Sequence, residues 1–380
     1  MTLLSGELTA RASVPSGKST GSHEALELRD PDGGVQAAIA NVESEIAALL
    51  TSREWNSPDE IDTALIELDG TPNKSRLGAN AILGVSIAVQ RLFAQATGVP
   101  LWMAIAERAG TTPAAPRLYL NYMNGGVHAN FRLPFQEYIL VVGGKTSSAF
   151  AIAQELFAKL ATMLGEDVPM GDEGGYAPTF TELEKPFELL AALVAEHPGT
   201  AIAIDAAASE LLHDGHYRLL GTEYSAGELA RVYERLVSGF PFHSIEDPFS
   251  EDATADFAAL TAAIGSKIII VGDDFTVTNP ERIAAAREAN AINAVLIKPN
   301  QIGSVKEALE AVQMTHAAGW AAIASHRSGE TDDTFIADFA YGVGAHGIKA
   351  GGLGQKERLE KYERLLEIEK EAQAVYYRHI

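Results

Sequence analysis

Apolar and polar residues follow two rhythms along this chain, and the change between them divides it. Residues 5–15 alternate with the period of a strand and lead into a glycine–serine loop from Ser16 to Ser22. Apolar residues then recur at helical spacing over Gln36–Leu50, more weakly over Asp59–Asp69, and densely over Ala79–Thr97. This predicts a small α+β unit. Gly110-Thr-Thr-Pro-Ala-Ala-Pro116 has linker composition, which puts a boundary between residues 112 and 113 and divides the chain into units 1–112 and 113–380.

Beyond the linker the pattern becomes short apolar runs that end in charged or metal-binding side chains: AIAID, FHSIED, IIIVGDD, AVLIKP, WAAIASHRS and HGIKA. Such runs read as buried parallel strands. Their terminal groups are Asp205, Glu246, Asp273, Lys298, His326 and Lys349, spaced 41, 27, 25, 28 and 23 residues apart, close to one strand-plus-helix unit per step. In a (β/α)8 barrel the carboxyl ends of successive strands converge on one mouth. Three carboxylates there face two lysines and a histidine, which predicts a metal site beside a base. Between the runs, Asn279 before Pro280 and Ser304 before Val305 read as helix N-caps, and Lys356–Tyr376 reads as the closing helix.

Composition narrows the functions available. The 47% hydrophobic content of 380 residues can fill a large core. A formal charge of −22, with no Lys/Arg-rich run, argues against nucleic acid and anionic membrane as partners. It does not argue against an anionic small molecule, because metal ions and local cations can reverse the field inside a pocket. The absence of cysteine removes disulfides, thiolate ligands and thiol nucleophiles. No signal-peptide pattern opens the chain and no apolar run approaches the ~20 residues of a membrane span. The expected location is the cytoplasm.

The string SGKST ends as a Walker A motif does, but the position five before its glycine is Ala12, and no apolar helix follows at once. A flexible lid fits better, with Gly17 and Gly21 permitting motion and Ser16, Ser19 and Thr20 offering oxygens to a metal or phosphate.

Nine strings, in order from residue 14 to about 350, carry a family resemblance: VPSGKSTGSHEALELRD, GANAILGVSIAVQ, NGGVHAN with QEY, GDEGGYAP, SIEDPF, VGDDFTVTNP, IKPNQIGS, SHRSGETDDTFIAD and GIKAG. Together they resemble enolase, the phosphopyruvate hydratase of glycolysis. The resemblance implies an α/β fold in which a small α+β capping domain precedes an enolase-type barrel whose opening departs from βα alternation. It implies reversible dehydration of 2-phosphoglycerate to phosphoenolpyruvate with two Mg²⁺ ions. By motif, Asp205, Glu246 and Asp273 hold the first ion, and Ser19 joins a second that arrives with substrate. Lys298 is the base and Glu173 the acid, with Glu137 beside it. His128, Gln136, His326, Arg327, Ser328 and Lys349 hold the small phosphorylated substrate.

The chemistry asks for these groups. Removing a proton next to a carboxylate creates a dianion, which divalent ions and Lys349 stabilise. All-oxygen ligands suit Mg²⁺ rather than Zn²⁺, with His326 outside the ligand set. Lys298 must lose its proton although a free lysine has a pKa of about 10.4, and a divalent cation with Lys349 is expected to push it down. Glu173 is expected to be raised by Glu137, so that it can protonate the leaving hydroxyl. Asp172 and Asp274 flank site residues as partners or ligands, and His23 is open between substrate contact and surface. His197, His213, His216 and His379 read as solvated.

Three departures from the family pattern stand out. A string close to SRGNPTVEV is missing, so the chain starts inside what resembles the third strand of the capping sheet, and Leu8–Val14 is expected to show an unpaired edge. That region contributes to the family's dimer contact, which leaves the interface of the expected homo-oligomer open. Lys18 adds a cation to the lid, and Ala350 and Gln355 replace a hydroxyl and a charge. Two alternatives therefore stand beside the enolase reading: a related dehydratase whose phosphonate or carboxylate substrate is read by Lys18, and a non-catalytic binding or structural protein on the same scaffold. No acid, base or metal position is lost.

Overall fold

The computed structural model describes residues 1–18 and 20–378, so the expectations for Ser19 and His379 lie outside the described residues. Strands β3 (Arg117–Asn124), β4 (Glu137–Val142), β5 (Thr200–Asp205), β9 (Phe242–Glu246), β10 (Ile269–Gly272), β11 (Ala294–Ile297), β12 (Ala321–Ser325) and β13 (Gly347–Lys349) close into one barrel. β4 runs antiparallel to both β3 and β5, and all other neighbours are parallel. The lumen is filled by Tyr119, Ile139, Val141, Ala203, Val271, Ala294, Leu296 and Ile323. Helices cover the outside, so barrel strands are buried on both faces and read as unbroken apolar runs. Strands β6 (Leu212–His213), β7 (His216–Leu219) and β8 (Thr222–Tyr224) make a small separate sheet.

The capping unit carries β1 (Thr2–Ser5) and β2 (Leu8–Arg11) and helices at Gln36–Thr51, Pro58–Asp69, Ala79–Thr97 and Leu101–Ala109, the first of them with a wide π turn at Val42–Ile46. Ser57 accepts the Glu60 N–H at 3.2 Å and Gly70 closes the second helix in the left-handed region, at φ 68°. Asn279 accepts the Glu281 N–H at 2.8 Å, and Ser304 accepts that of Glu307 at 3.2 Å, as the sequence predicts.

The expected single strand over 5–15 is corrected. Gly6, at φ 60°, turns the chain back between Ser5 and Leu8, so β1 and β2 form a hairpin. Leu8–Arg11 is paired with β1 on one side, and in this two-stranded sheet its other edge, like that of β1, has no strand partner among the described residues. The strand also ends earlier than Val14. Beside the hairpin lie cavities of about 450 and 520 Å³, neither of them lined by the carboxylates of the barrel mouth.

Candidate active site

Register builds the site. Glu137, Asp205 and Glu246 are opposite one another on three adjacent strands, so their side chains share one face at one height. Because β4 is antiparallel, its first residue reaches the mouth where its neighbours end. Asp273, Lys298 and His326 follow the last residues of β10, β11 and β12, and Lys349 ends β13. Ala207 and Asp247, just past two of these ends, hold positive φ values of 42° and 41°, a backbone strain typical of functional sites.

Asp205, Glu246 and Asp273 are all buried, and each offers a carboxylate oxygen within 4.8 Å of the others. Lys349 Nζ lies among them, 3.0 Å from Asp205 Oδ2, 2.8 Å from Glu246 Oε1 and 2.9 Å from Glu137 Oε1. Lys298 Nζ donates to Asp273 Oδ2, and Gln301 Nε2 donates to Asp273 Oδ1 at 2.9 Å. Asp247 accepts the Asp273 and Asp274 amides at 2.9 and 2.8 Å, which fixes the turn after β10. Burial, then Asp205, drive the Glu246 carboxyl well up against the pull of Lys349. Three buried carboxylates with oxygen donors alone fit a hard divalent cation such as Mg²⁺.

Among the chain's own groups, burial weighs most on Lys298 and pulls its ammonium down, but the Asp273 and Glu246 carboxylates together hold it above its ordinary value; the expected lowering belongs to the site with its divalent cation bound. On the other wall, burial and then the Glu173 carboxylate push Glu137 well up, and Lys349 does not offset them. Burial opposes ionisation of Glu173 too, yet His128, His326 and Arg358 together hold it well below the carboxylate range. These surroundings favour protonation of Glu137 over Glu173, whereas the sequence reading expected Glu173 to be the one raised. Asn121 Nδ2 donates to Glu173 Oε2 at 3.2 Å and His128 Nε2 lies 3.6 Å from Oε1, which favours the charged form.

The pocket between these walls is lined by His128, Gln136, Glu137, Glu173, Asp205, Asp273, Lys298, His326, Arg327, Ser328 and Lys349. Glu246 is buried and is not among these lining residues, and Ser19 is not among the described residues. Gln136 Nε2 donates to Asp205 Oδ2 at 3.5 Å, while Gln136 Oε1 and His128 Nδ1 are buried without a hydrogen-bond partner. The Arg327 fork donates to both oxygens of Glu24, at 2.8 and 3.0 Å, and to Asn300 Oδ1 at 3.0 Å. Ser328 Oγ accepts the Lys18 N–H at 2.7 Å, and Lys18 Nζ pairs with Asp172 at 2.7 Å. Burial and then Asp273 push Asp274 up to about 8. His23 and the histidines at 213 and 216 are exposed, whereas His197 is half-buried.

Glu24, Asp247 and Arg358 escaped the sequence reading, although the first two lie within strings that carry the resemblance; Arg358 lies beyond the last of them. Arg358 stands where Gln355 removed a charge: Gln355 Oε1 accepts its Nε at 2.6 Å, and Gln355 Nε2 donates to the Asp172 carbonyl at 3.0 Å.

A closed α/β barrel with a carboxylate triad, two lysines and a coupled carboxyl pair at one mouth defines a metal-assisted acid–base enzyme. Family models described as "Enolase, N-terminal domain" and "Enolase, C-terminal TIM barrel domain" match residues 1–105 and 113–379. The enolase of Methanopyrus kandleri is 44% identical over 383 residues, covering 95% of this chain and 88% of its own. That of Thermococcus kodakarensis is 43% identical, covering 96% and 89%, and that of Acidothermus cellulolyticus is 43% identical, covering 97% and 89%. The chain belongs to the enolase family, and it is a hydro-lyase of the phosphopyruvate hydratase class. Membership implies Mg²⁺ dependence and a small phosphorylated substrate. Among the described residues, no single helix is long and apolar enough to cross a membrane.

Proposed function

We propose that the chain dehydrates 2-phosphoglycerate reversibly to phosphoenolpyruvate, with Lys298 as base and the Glu137–Glu173 pair as acid. The observation that carries this is that one pocket brings Lys298 together with the buried Glu137–Glu173 carboxyl pair. Asp205, Glu246 and Asp273 would hold one Mg²⁺, and Ser19 would join a second that comes with substrate. Bound Mg²⁺ supplies positive charge that stabilises the dianion developing on the substrate carboxylate.

The chain's own groups perform the proton transfers. When the Asp273 carboxylate is engaged elsewhere, burial and the charges of Arg327 and Lys349 are left to pull Lys298 down, and Nζ can take the proton beside the carboxylate. Glu137 passes its proton across to Glu173, which delivers it to the departing hydroxyl as water leaves. Lys349 orients the substrate carboxylate, and Arg327 with Ser328 takes phosphate oxygens once Glu24 yields the fork. His128, Gln136 and His326 complete the hold. Lys18 is committed to Asp172, which weakens the reading of a further anionic group on the substrate. We further infer a division into units 1–112 and 113–380, a cytoplasmic location and a homo-oligomer.

Purified protein with 2-phosphoglycerate should show Mg²⁺-dependent growth of the phosphoenolpyruvate absorbance, abolished by EDTA and cut by orders of magnitude in Lys298→Ala and Glu173→Gln. No Mg²⁺-dependent signal from well-folded protein would overturn the function, and full activity in Lys298→Ala would remove that residue's role.

A further inference from the structure

We infer that Arg358 is a positioning residue: it fixes His326 as the tautomer protonated at Nε2 and ties together the two loops that wall the pocket. This deepens the functional reading above and rests on it only for the role of His326 against substrate.

Arg358 is 1% exposed, at the start of the closing helix Lys356–Arg378. Its Nη1 donates to His326 Nδ1 and, at 3.4 Å, to the Arg327 carbonyl. Its Nη2 donates to the Ser328 carbonyl at 2.9 Å and to the Asp172 carbonyl at 3.2 Å. Its Nε donates to Gln355 Oε1 at 2.6 Å. Both loops, that of Asp172 and Glu173 and that of His326 to Ser328, therefore hang on one guanidinium.

The tautomer follows from chemistry alone. A guanidinium has donors and no acceptor, so His326 Nδ1 must be the acceptor in their contact, and the ring's one proton is left on Nε2. A ring nitrogen of His326 also lies within 4.8 Å of carboxylate oxygens of Glu137 and Glu173. A neutral imidazole held this way offers a hydrogen-bond donor to a substrate oxygen without competing for the proton of the carboxyl pair. The space around Arg358 is shaped for it: a Cβ on Gly351, at φ 88°, would stand 2.3 Å from Arg358 Cδ. An arginine kept only for stability could be satisfied by carbonyls, whereas this one spends an arm on the nitrogen of a pocket side chain.

The test uses the full chain labelled with ¹⁵N-histidine. Long-range ¹H–¹⁵N correlation, with His326 assigned by its loss in His326→Gln, should show an unprotonated Nδ1 and a protonated Nε2 in the native protein. Arg358→Met should shift His326 toward a tautomer mixture and lower kcat about 100-fold, the scale of a misplaced catalytic group, while KM changes much less. Arg358→Lys, which keeps a charge and a donor, should recover part of both. A native His326 protonated at Nδ1, or as imidazolium, overturns the inference even if Arg358→Met does not fold. So does an Arg358→Met protein with unchanged tautomer and kcat within twofold. Native protein that shows the Nε2–H tautomer but forms no phosphoenolpyruvate would sink the functional reading and leave the Arg358 contact intact.

Discussion

Two carboxyls buried side by side do not both ionise easily, and their neighbours decide which is the harder to ionise. His128, His326 and Arg358 favour charge on Glu173, so Glu137 is the harder to ionise. The two residues are therefore not equivalent in substitution. Glu173→Gln removes the group that meets the hydroxyl and should lower kcat about 10³-fold, within the range for general acid–base groups. Glu137→Gln leaves the delivering carboxyl in place but removes the proton it is handed, so it should lower kcat less, about 10²-fold, the low end of the same range. Steady-state formation of phosphoenolpyruvate by both variants checks the order, and equal losses would remove the assignment. Residue types at this site were legible because each strand end in the sequence carries its polar group. Charge states were not, because they are set by side chains far away in the chain: Asp273 on Lys298, and Arg358 with His128 on Glu173.

Elements were legible where burial leaves one pattern. Barrel strands covered on both faces become unbroken apolar runs, and the helix at Ala79–Thr97, buried round most of its surface, reads the same in sequence and in structure. The hairpin was not, because alternation continues through a turn when a glycine makes it, as at Gly6. At the other end of the barrel, β9 and β13 bring together two histidines that the apolar pattern hid. His243 and His346 meet Nε2 to Nε2 at 3.1 Å, their rings 5.3 Å apart and inclined by 14°, with Tyr119 against the edge of His243. Burial lowers His243 to about 4, helped by His346 and Arg117, and burial with Arg117 does the same to His346. Unfolded histidine takes up its proton near pH 6.5. Between pH 6.5 and 4 the unfolded chain binds protons that the folded chain refuses, so stability is complete above 6.5 and is lost as the pH falls toward 4. Each ring contributes at most about 1.4 kcal/mol per pH unit, and less here because both remain partly solvated. His243→Val with His346→Gln should make the fall in melting temperature across this window shallower. An unchanged slope would show that the pair does not govern it.

At the scale of the molecule, the capping unit and the barrel are one body. Ala10, Ala12, Leu83, Ile87, Trp102 and Ile105 belong to the same apolar cluster as the outer faces of the barrel strands. The segment that reads as a linker is fastened as well: Thr111 Oγ1 donates to the Gly342 carbonyl at 2.9 Å, and the Ala114 amide to that of Tyr341 at 3.1 Å. Composition marks such a stretch as a connection but says nothing of what it lies against. Ionic contacts cross the seam at Lys74–Glu307, 2.9 Å, Arg91–Asp333, 2.6 Å, and Arg327–Glu24, 2.8 Å. The lid enters through the Ser16 and Gly329 backbones, which exchange hydrogen bonds of 3.0 and 2.8 Å. A shared core predicts a single cooperative transition, with calorimetric and van't Hoff enthalpies equal. Arg108 gives the sharper test. Its Nη2 holds Asp62, which is fully buried, at 2.7 Å, and the same Asp62 oxygen accepts the Lys306 amide of the barrel at 3.0 Å. Arg108→Met leaves that carboxylate buried without its cation, at a cost of about 3–5 kcal/mol. Adding Asp62→Asn should recover much of the loss. Since Asp62 joins the two units, the whole transition should move down together in the single variant. A melt that splits into an early capping step and an unchanged barrel step would show that the seam is weaker than its contacts suggest.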